Sequence, residues 1–269
     1  VSACVITGNE EANVEACLRS LAFCAEIVVV DSHSKDRTRE LAAALGARVV
    51  EHDWEGHIGQ KNFAVSLAKN DWVLCVDADE RVTPELREAV LRTVAQEPAY
   101  AGYAVNRRNI YLGAWIRHGG WYPDAKVRLF DRRRARWGGV NPHDHVIVDG
   151  PEGRLDADLE HLSYRDITHH LTKSIDFFSS ISAREKLARG QGLLGLQLVF
   201  GPPWKFFKMF VLRLGFLDGW RGFVVAVLGA FFVFLKYAKL WELVHVKGER
   251  AGTGEKVVYA PRAGEQRDA

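Results

Sequence analysis

Asp77-Ala78-Asp79, followed at once by Glu80, stands where the apolar run Val73-Leu74-Cys75-Val76 stops. Such a run suits a strand buried on both faces. In an open α/β sheet, ligands bind beyond the carboxyl ends of the strands. Two carboxylates spaced i, i+2 at that place can face one point outside the sheet. Their hard oxygens suit magnesium or manganese, which keeps several waters and shares its other positions with a diphosphate. The competing reading is an acidic turn that caps the next helix.

A second acid, Asp31, closes the run Val28-Val29-Val30. There it is a candidate for hydrogen bonds to a ribose or base, or an N-cap in a strand-to-helix loop. The first strand ends in Thr7-Gly8-Asn9-Glu10-Glu11, a polar rim for the same pocket. No GxGxxG or GxxxxGK[ST] follows any strand, which argues against a Rossmann dinucleotide site and a P-loop. Lys61, in Gly56-His57-Ile58-Gly59-Gln60-Lys61-Asn62, lies near a helix start and can approach a phosphate; the alternative is a solvated lysine.

The elements that must position these groups alternate in period. Ala3–Thr7, Ile27–Val30, Arg48–Glu51 and Trp72–Val76 read as strands. Glu10–Leu21, Asp36–Leu45 and Ile58–Ala68 read as helices, and Thr83-Pro84 caps a further helix to about Gln96. This alternation indicates βαβ units and a mostly parallel sheet. After Ala99, Tyr103–Ile110, Lys126–Asp131, His145–Val148 and Leu155–His161 are short strands of a mixed-sheet half, and Asp166–Arg189 is helical. The expected division is 1–98, a βαβ half, to which the family resemblance given below assigns nucleotide-sugar binding; 99–165, a mixed-sheet half, to which it assigns the acceptor and catalysis; 166–246, a helical membrane-associating region; and 247–269, a flexible tail.

The 269 residues are 48% hydrophobic and 26% charged, which excludes a disordered chain. The net charge of +2 gives no reason to expect a nucleic-acid partner. Cys4, Cys17, Cys24 and Cys75 sit singly, without metal spacing, and read as free thiols in a reducing compartment. Val1–Ile6 lacks the basic and apolar regions of a signal peptide and reads as the start of a strand. Residues 200–241 hold 13 of the 29 aromatics, six Lys/Arg and one acid, Asp218. Their longest apolar stretch, Phe223–Leu235, has 13 residues against the roughly 20 of a spanning helix. Two amphipathic helices, broken near Gly201-Pro202-Pro203 and Gly215–Gly222, are therefore expected on a membrane surface. The alternative is a buried hairpin that closes a core or makes a dimer.

An ordered set of motifs resembles family-2 glycosyltransferases: Thr7-Gly8-Asn9-Glu10-Glu11-Ala12-Asn13, Asp31-Ser32 with Ser34-Lys35-Asp36, Gln60-Lys61-Asn62, and Asp77-Ala78-Asp79-Glu80. Gly120-Trp121-Tyr122-Pro123-Asp124, Lys126-Val127-Arg128-Leu129-Phe130, Gly215–Gly222 and Phe234–Lys239 are similar to lipopolysaccharide-core glycosyltransferases of the WaaE type. The likeness runs from about Ser2 to Val246. It implies an α/β, GT-A-like fold: a mostly parallel central sheet flanked by helices, a smaller mixed-sheet half and C-terminal amphipathic helices. It also implies an inverting, metal-dependent hexosyltransferase with a nucleotide-sugar donor, UDP-hexose by family likeness. Carried over by position, Thr7, Asn9, Glu10 and Asp31 border the nucleoside, Lys61 lies near the donor, Asp77 near ribose and metal, and Asp79 on the metal. Two positions depart from the family: Gly8 replaces a usual Lys, and Pro142-His143-Asp144 replaces Val-His-Glu, which shortens the carboxylate's reach by one methylene.

Inverting transfer also needs a carboxylate across the sugar to take the acceptor's proton. Asp144 is the first choice and Asp124 the second. His143, beside Asp144, is a further candidate for the cation, and His143-Asp144-His145 otherwise reads as a polar turn. Trp121 and Tyr122 offer flat faces to a sugar or pack in a core. Arg128 leads a basic run, continued by Arg132, Arg133, Arg134 and Arg136, that suits acceptor phosphates or a solvated loop. Arg107-Arg108 reads as solvated.

The expected partners are a nucleotide-diphosphate sugar, a lipid-linked glycan and a membrane surface, at the cytoplasmic face of the inner membrane. Transfer to a polyprenyl phosphate is the alternative acceptor reading. A nucleotidyltransferase would want a basic Gly-rich loop where Gly8-Asn9-Glu10-Glu11 is acidic. A non-catalytic nucleotide-sugar-binding subunit would not need the carboxylates.

Overall fold

β-Branched runs form the first strands of the computed structural model, which describes residues 1–96, 98–140, 143–190 and 194–247. Pro142 and nearly all of the expected 247–269 tail lie outside the described residues. Strands β1 (Ser2–Thr7), β2 (Glu26–Asp31), β3 (Arg48–Glu51) and β4 (Trp72–Asp77) run parallel in the order β3-β2-β1-β4. Three short helices connect them: α1 (Val14–Ser20), α2 (Thr38–Ala44) and α3 (Gly56–Ser66). Helix α1 is shorter than its apolar period suggests, because Glu10–Asn13 forms a turn held to the start of α2, where Thr38 Oγ1 accepts from the Glu10 amide.

After β4 the sheet continues antiparallel. Strand β5 (Glu80–Val82) follows directly, then α4 (Pro84–Ala95), capped by the Thr83 hydroxyl accepting from the Leu86 amide at 3.2 Å. The chain goes on through β6 (Gly102–Tyr111), β7 (Ala114–Trp115), β8 (Ala125–Asp131), β9 (Ala135–Val140), β10 (His143–Val148) and β11 (Gly153–Tyr164). One sheet has the order β3-β2-β1-β4-β8-β6-β11-β5, with β7 on β6, while β9 and β10 form a separate antiparallel ribbon. The mixed strands thus extend the parallel sheet itself.

The chain divides into two compact units, Val1–Arg108 with Asp124–His161, and Asn109–Pro123 with the chain from Leu162. The 99–165 segment, expected as one half, is shared between them. In the first unit, Val5, Val29, Leu74, Leu18 and Leu86 form a core on one side of the sheet; Val28, Val30, Val73, Phe130 and Trp137 form one on the other. Cys4, Cys17, Cys24 and Cys75 are all free thiols.

The second unit is helical. Asp166 caps α5 (Ile167–Thr172), and the helical course continues to α6 (Ser179–Ala188). Then come α7 (Leu194–Phe207) and α8 (Gly219–Trp241). Helix α7 runs through Pro202-Pro203, where a break was expected. Its packing on α8, with Gly201 against Val233 and Tyr237, holds it together across the missing N–H donors. The expected break before α8 is present: Leu214 takes a left-handed conformation at φ 56° and Gly215–Asp218 forms a tight 3₁₀ turn. With 23 residues, α8 outlasts the 13-residue apolar stretch and is long and apolar enough to cross a membrane by length and composition.

Candidate active site

The acidic motif is built where β4 leaves the sheet. Asp77 is the last residue of β4, and Glu80 opens β5 after a two-residue link. The Asp77 amide donates to Glu80 Oε2 at 2.9 Å, closing the turn on itself. Glu80 is fully buried. Its other oxygen accepts from Arg128 at 2.5 Å, and the same guanidinium reaches Asp77 Oδ2 at 2.8 Å. Arg128, named above for the acceptor, is 3% exposed and taken up by these two acids.

Lys61 approaches from α3. Its ammonium lies 3.0 Å from Asp77 Oδ1 and 2.9 Å from Asp144 Oδ2, and 4.4 Å from the centre of the Trp137 ring. Burial alone would lower the Lys61 ammonium, but Asp77 and Asp144 outweigh it and hold it above its ordinary value. Burial would likewise raise Asp77, yet Arg128 and Lys61 hold its carboxyl well below the usual carboxylate range.

The two candidate bases sit at opposite ends of one chain of charges. Asp144 ends it through Lys61. Asp124 ends it through Arg107, which donates to Asp124 Oδ2 at 2.8 and 2.5 Å and lies 3.7 Å from Glu80. Arg107, expected to be solvated, is 20% exposed at its side chain and ion-paired. Arg108 is also paired, with Glu160. Burial would raise Asp124, but Arg107 and then Lys126 hold it below its ordinary value.

Asp79, between Asp77 and Glu80, has the His161 ring nitrogen 3.4 Å away, placed there because His161 pairs with Glu80 across β11 and β5. Among the described residues no group of three or more His, Cys, Asp or Glu side chains is set to hold an ion. Asp77 and Asp79 are the oxygen donors available at this place. A small hard cation that takes one or two carboxylates and completes its shell with water and a diphosphate fits that donor set. His143 is not gathered with them. It is exposed, and strand alternation turns it to the face of β10 opposite Asp144.

The loops after β1 and β2 are stitched together. Asp31 is fully buried; its carboxylate accepts from Thr7 Oγ1 at 2.8 Å, the Ser34 hydroxyl at 2.5 Å and the Ser34 amide at 2.7 Å. Asn9 Oδ1 accepts from the Lys35 amide, its own amide donates to Ser34 Oγ, and Glu10 accepts from Asn13. Gln60, also fully buried, ties Ser32 to His52. In the second unit, Trp121 packs in an aromatic cluster with Tyr111, Tyr164 and His170, and the Tyr122 ring meets Trp115 at 5.0 Å.

Sequence reasoning did not give Glu80, Arg107, Trp137 or His161 a part in this site. Glu80 stood beside the motif with a visible carboxylate. The other three arrive on later strands, and no local period marks them.

Comparisons with known proteins bear on this geometry. The family model described as "Glycosyl transferase family 2" matches residues 2–148. An uncharacterized glycosyltransferase of Rickettsia typhi is 32% identical over 255 residues, covering 90% of this chain and 87% of its own. The lipopolysaccharide core biosynthesis glycosyltransferase LpsC of Rhizobium meliloti is 31% identical over 259 residues, covering 90% and 92%. The crystal structure of S. aureus TarS 1–349 aligns over 92% of this chain and 91% of its own, at 16% identity and a TM-score of 0.47. The helix-flanked central sheet is the GT-A-like architecture that the motifs imply, but it is mixed and not mostly parallel: four parallel strands are continued by antiparallel ones. An acidic turn at the end of the central parallel strand, in a chain this similar to glycosyltransferases along nearly its whole length, gives the identification: the protein belongs to glycosyl transferase family 2.

Proposed function

We propose that the protein moves a hexose, with inversion, from a nucleotide-diphosphate sugar to a lipopolysaccharide-core or similar lipid-linked glycan. The similarity to LpsC supports the acceptor class, and family likeness supports a UDP-hexose donor. One observation carries the catalytic reading: Lys61 joins Asp144 to Asp77, so a carboxylate faces the acidic motif from the β9–β10 ribbon.

Asp144 is the general base in this reading. Asp124, held below its ordinary value by Arg107, is thereby disfavoured as a proton acceptor. Asp79, with Asp77, would hold magnesium or manganese, which offsets charge on the leaving diphosphate. Arg128 and Glu80 position Asp77 by fixing its oxygen and its amide. Lys61 is shared between two carboxylates, and an arriving diphosphate competes for it. When Lys61 turns to the diphosphate, the Asp144 carboxylate is released to take the acceptor hydroxyl's proton. Thr7, Asn9, Glu10 and Asp31 shape the nucleoside side through the stitched loops.

In this reading the C-terminal hairpin would hold the protein at a membrane, peripherally, on the cytoplasmic face where nucleotide sugars are available. Its support is the row of exposed apolar side chains on α7 and α8.

A donor screen with the purified chain, with and without manganese, scores nucleotide release and glycan product. Manganese-dependent turnover of one donor, lost in Asp144→Asn with donor affinity retained, is the expected result. Undiminished transfer by Asp144→Asn overturns the base assignment, and turnover of no nucleotide sugar overturns the function.

A further inference from the structure

The two most enclosed lysine amines among the groups just described and the C-terminal hairpin have opposite surroundings. Lys61 has two carboxylates. Lys205, on α7, has none: it makes no ion pair or hydrogen bond among the described residues, and neither do the side chains of Lys208 and Arg213. Its stem packs against α8, with Cε 3.7 Å from where a β-carbon on Gly229 would stand. Burial lowers its ammonium below the ordinary value, and Arg213, Lys208 and Lys236 lower it further. The acid of this region, Asp218, is committed elsewhere. Its carboxylate accepts from the His118 amide at 2.8 Å and the Arg117 amide at 3.3 Å. A cluster of cations that folding leaves without a counter-charge is complementary to an anion from outside the chain.

The neighbours of this cluster narrow the class of anion. Val199, Phe200, Trp204 and Phe207 recur on one side of α7 and are each more than 40% exposed. On α8, Trp220 and Phe223 are likewise exposed. Aromatic side chains interleaved with lysine and arginine match the boundary between headgroups and acyl chains. A second copy of the chain fits less well, since a two-fold interface would set the same cations against themselves.

The ends of α8 decide its orientation. Beside Asp218, the Gly119 amide donates to the Arg213 carbonyl at 2.8 Å, and Arg221 Nε donates to the Leu112 carbonyl at 2.9 Å. At the other end Leu240 and Leu243 are buried with Ala183, Leu187 and Leu194. Both ends are therefore tied to folded, polar-flanked chain of the same unit. To span a bilayer, the helix would carry the 112–121 segment and its Arg117 across.

We propose that Lys205, Lys208 and Arg213 form a binding site for the phosphates of an anionic bilayer, on which the α7–α8 hairpin lies in the plane instead of crossing. This rests on the membrane-surface reading above and adds its ligand and its geometry.

The test is co-sedimentation of the full chain with vesicles of phosphatidylcholine alone and with phosphatidylglycerol added. Binding should favour the anionic vesicles. Lys205→Gln, Lys208→Gln and Arg213→Gln should each weaken it about five-fold, and together on the order of a hundredfold. The charge-keeping set Lys205→Arg, Lys208→Arg, Arg213→Lys should retain the preference, which separates lost charge from lost folding. Brominated lipids should quench tryptophan fluorescence more strongly when labelled near the headgroup than at the chain ends. Binding to neither vesicle overturns the membrane reading and the site with it. Equal binding to both, or an anionic preference that survives the triple glutamine variant, overturns the site alone. Stronger quenching from the bilayer centre overturns the in-plane geometry. Self-association that Trp204→Ser abolishes, without vesicle binding, assigns the face to a second copy and overturns the proposal.

Discussion

Lys61 Nζ and Asp144 Oδ2, 83 residues apart in the chain, stand 2.9 Å from each other, with Lys61 at the middle of α3 and not near the helix start that the sequence suggests. The same ammonium is 3.0 Å from Asp77. The proposed base and the diphosphate end of the site therefore share one cation. Replacing it separates their fates. Lys61→Met should lower kcat/KM by roughly a hundredfold and weaken donor binding in titration calorimetry. Unchanged donor affinity would show that the ammonium serves the fold and not the diphosphate.

Asp79 has the His161 ring nitrogen 3.4 Å away, while Asp77 pairs with both Lys61 and Arg128. Asp79 is the carboxylate assigned to the cation in the reading above. Asp79→Ala should cost several kcal/mol of transition-state stabilisation, on the order of a thousandfold in turnover, and remove the dependence of donor affinity on manganese. Donor binding that is equally manganese-sensitive in the variant would move the cation elsewhere.

Glu80 and Arg128 form a buried pair with no room for water to replace a missing partner. Arg128→Met should destabilise the protein by about 3–5 kcal/mol, since it strands a buried carboxylate. The urea midpoint measures this. A loss under about 1 kcal/mol would mean that the pair is neutral to stability.

His170 is buried beside Tyr111, whose hydroxyl lies 3.0 Å from its Nδ1, and burial followed by the neighbouring His169 pushes it down to about 4. The neutral ring is thus favoured in the folded state. Between pH 6.5 and 4 the unfolded chain binds a proton that the folded chain refuses, so this contribution is complete above pH 6.5 and falls away as the pH drops toward 4. At roughly 1.4 kcal/mol per pH unit, the loss is on the order of 3 kcal/mol. Melting curves across that window should show it, and His170→Phe should flatten the dependence. Parallel pH profiles for variant and wild type would exclude His170 as the source.

A β-carbon on Gly222 would strike the Gly215 carbonyl oxygen. Gly222→Ala should lower stability by about 1–3 kcal/mol, seen as a lower melting temperature. An unchanged melting temperature would mean that the turn before α8 yields freely.

The parallel strands and the acidic pair were legible because their signals are local. Val28-Val29-Val30-Asp31 and Val73–Asp79 show in a few residues both a buried strand and what stands at its end. The charge chain was not legible, because Arg107 and Arg128 come to Glu80 from β6 and β8, through antiparallel pairing that no period in the sequence records. Strand β5 is three residues long, too short for alternation to show. The proline pair of α7 signals a stop that packing on α8 overrides.

Strand β5 leaves β4 after two residues yet pairs with β11, the far margin of the sheet. The acidic turn is thereby the seam at which the sheet bends back on itself, anchored by ladders on both sides. Its length admits no drift. One residue gained or lost between Asp77 and Glu80 would slip β5 by one place and turn Val82 from interior to exterior, so insertions that other loops absorb would here unmake the core and the chemistry together.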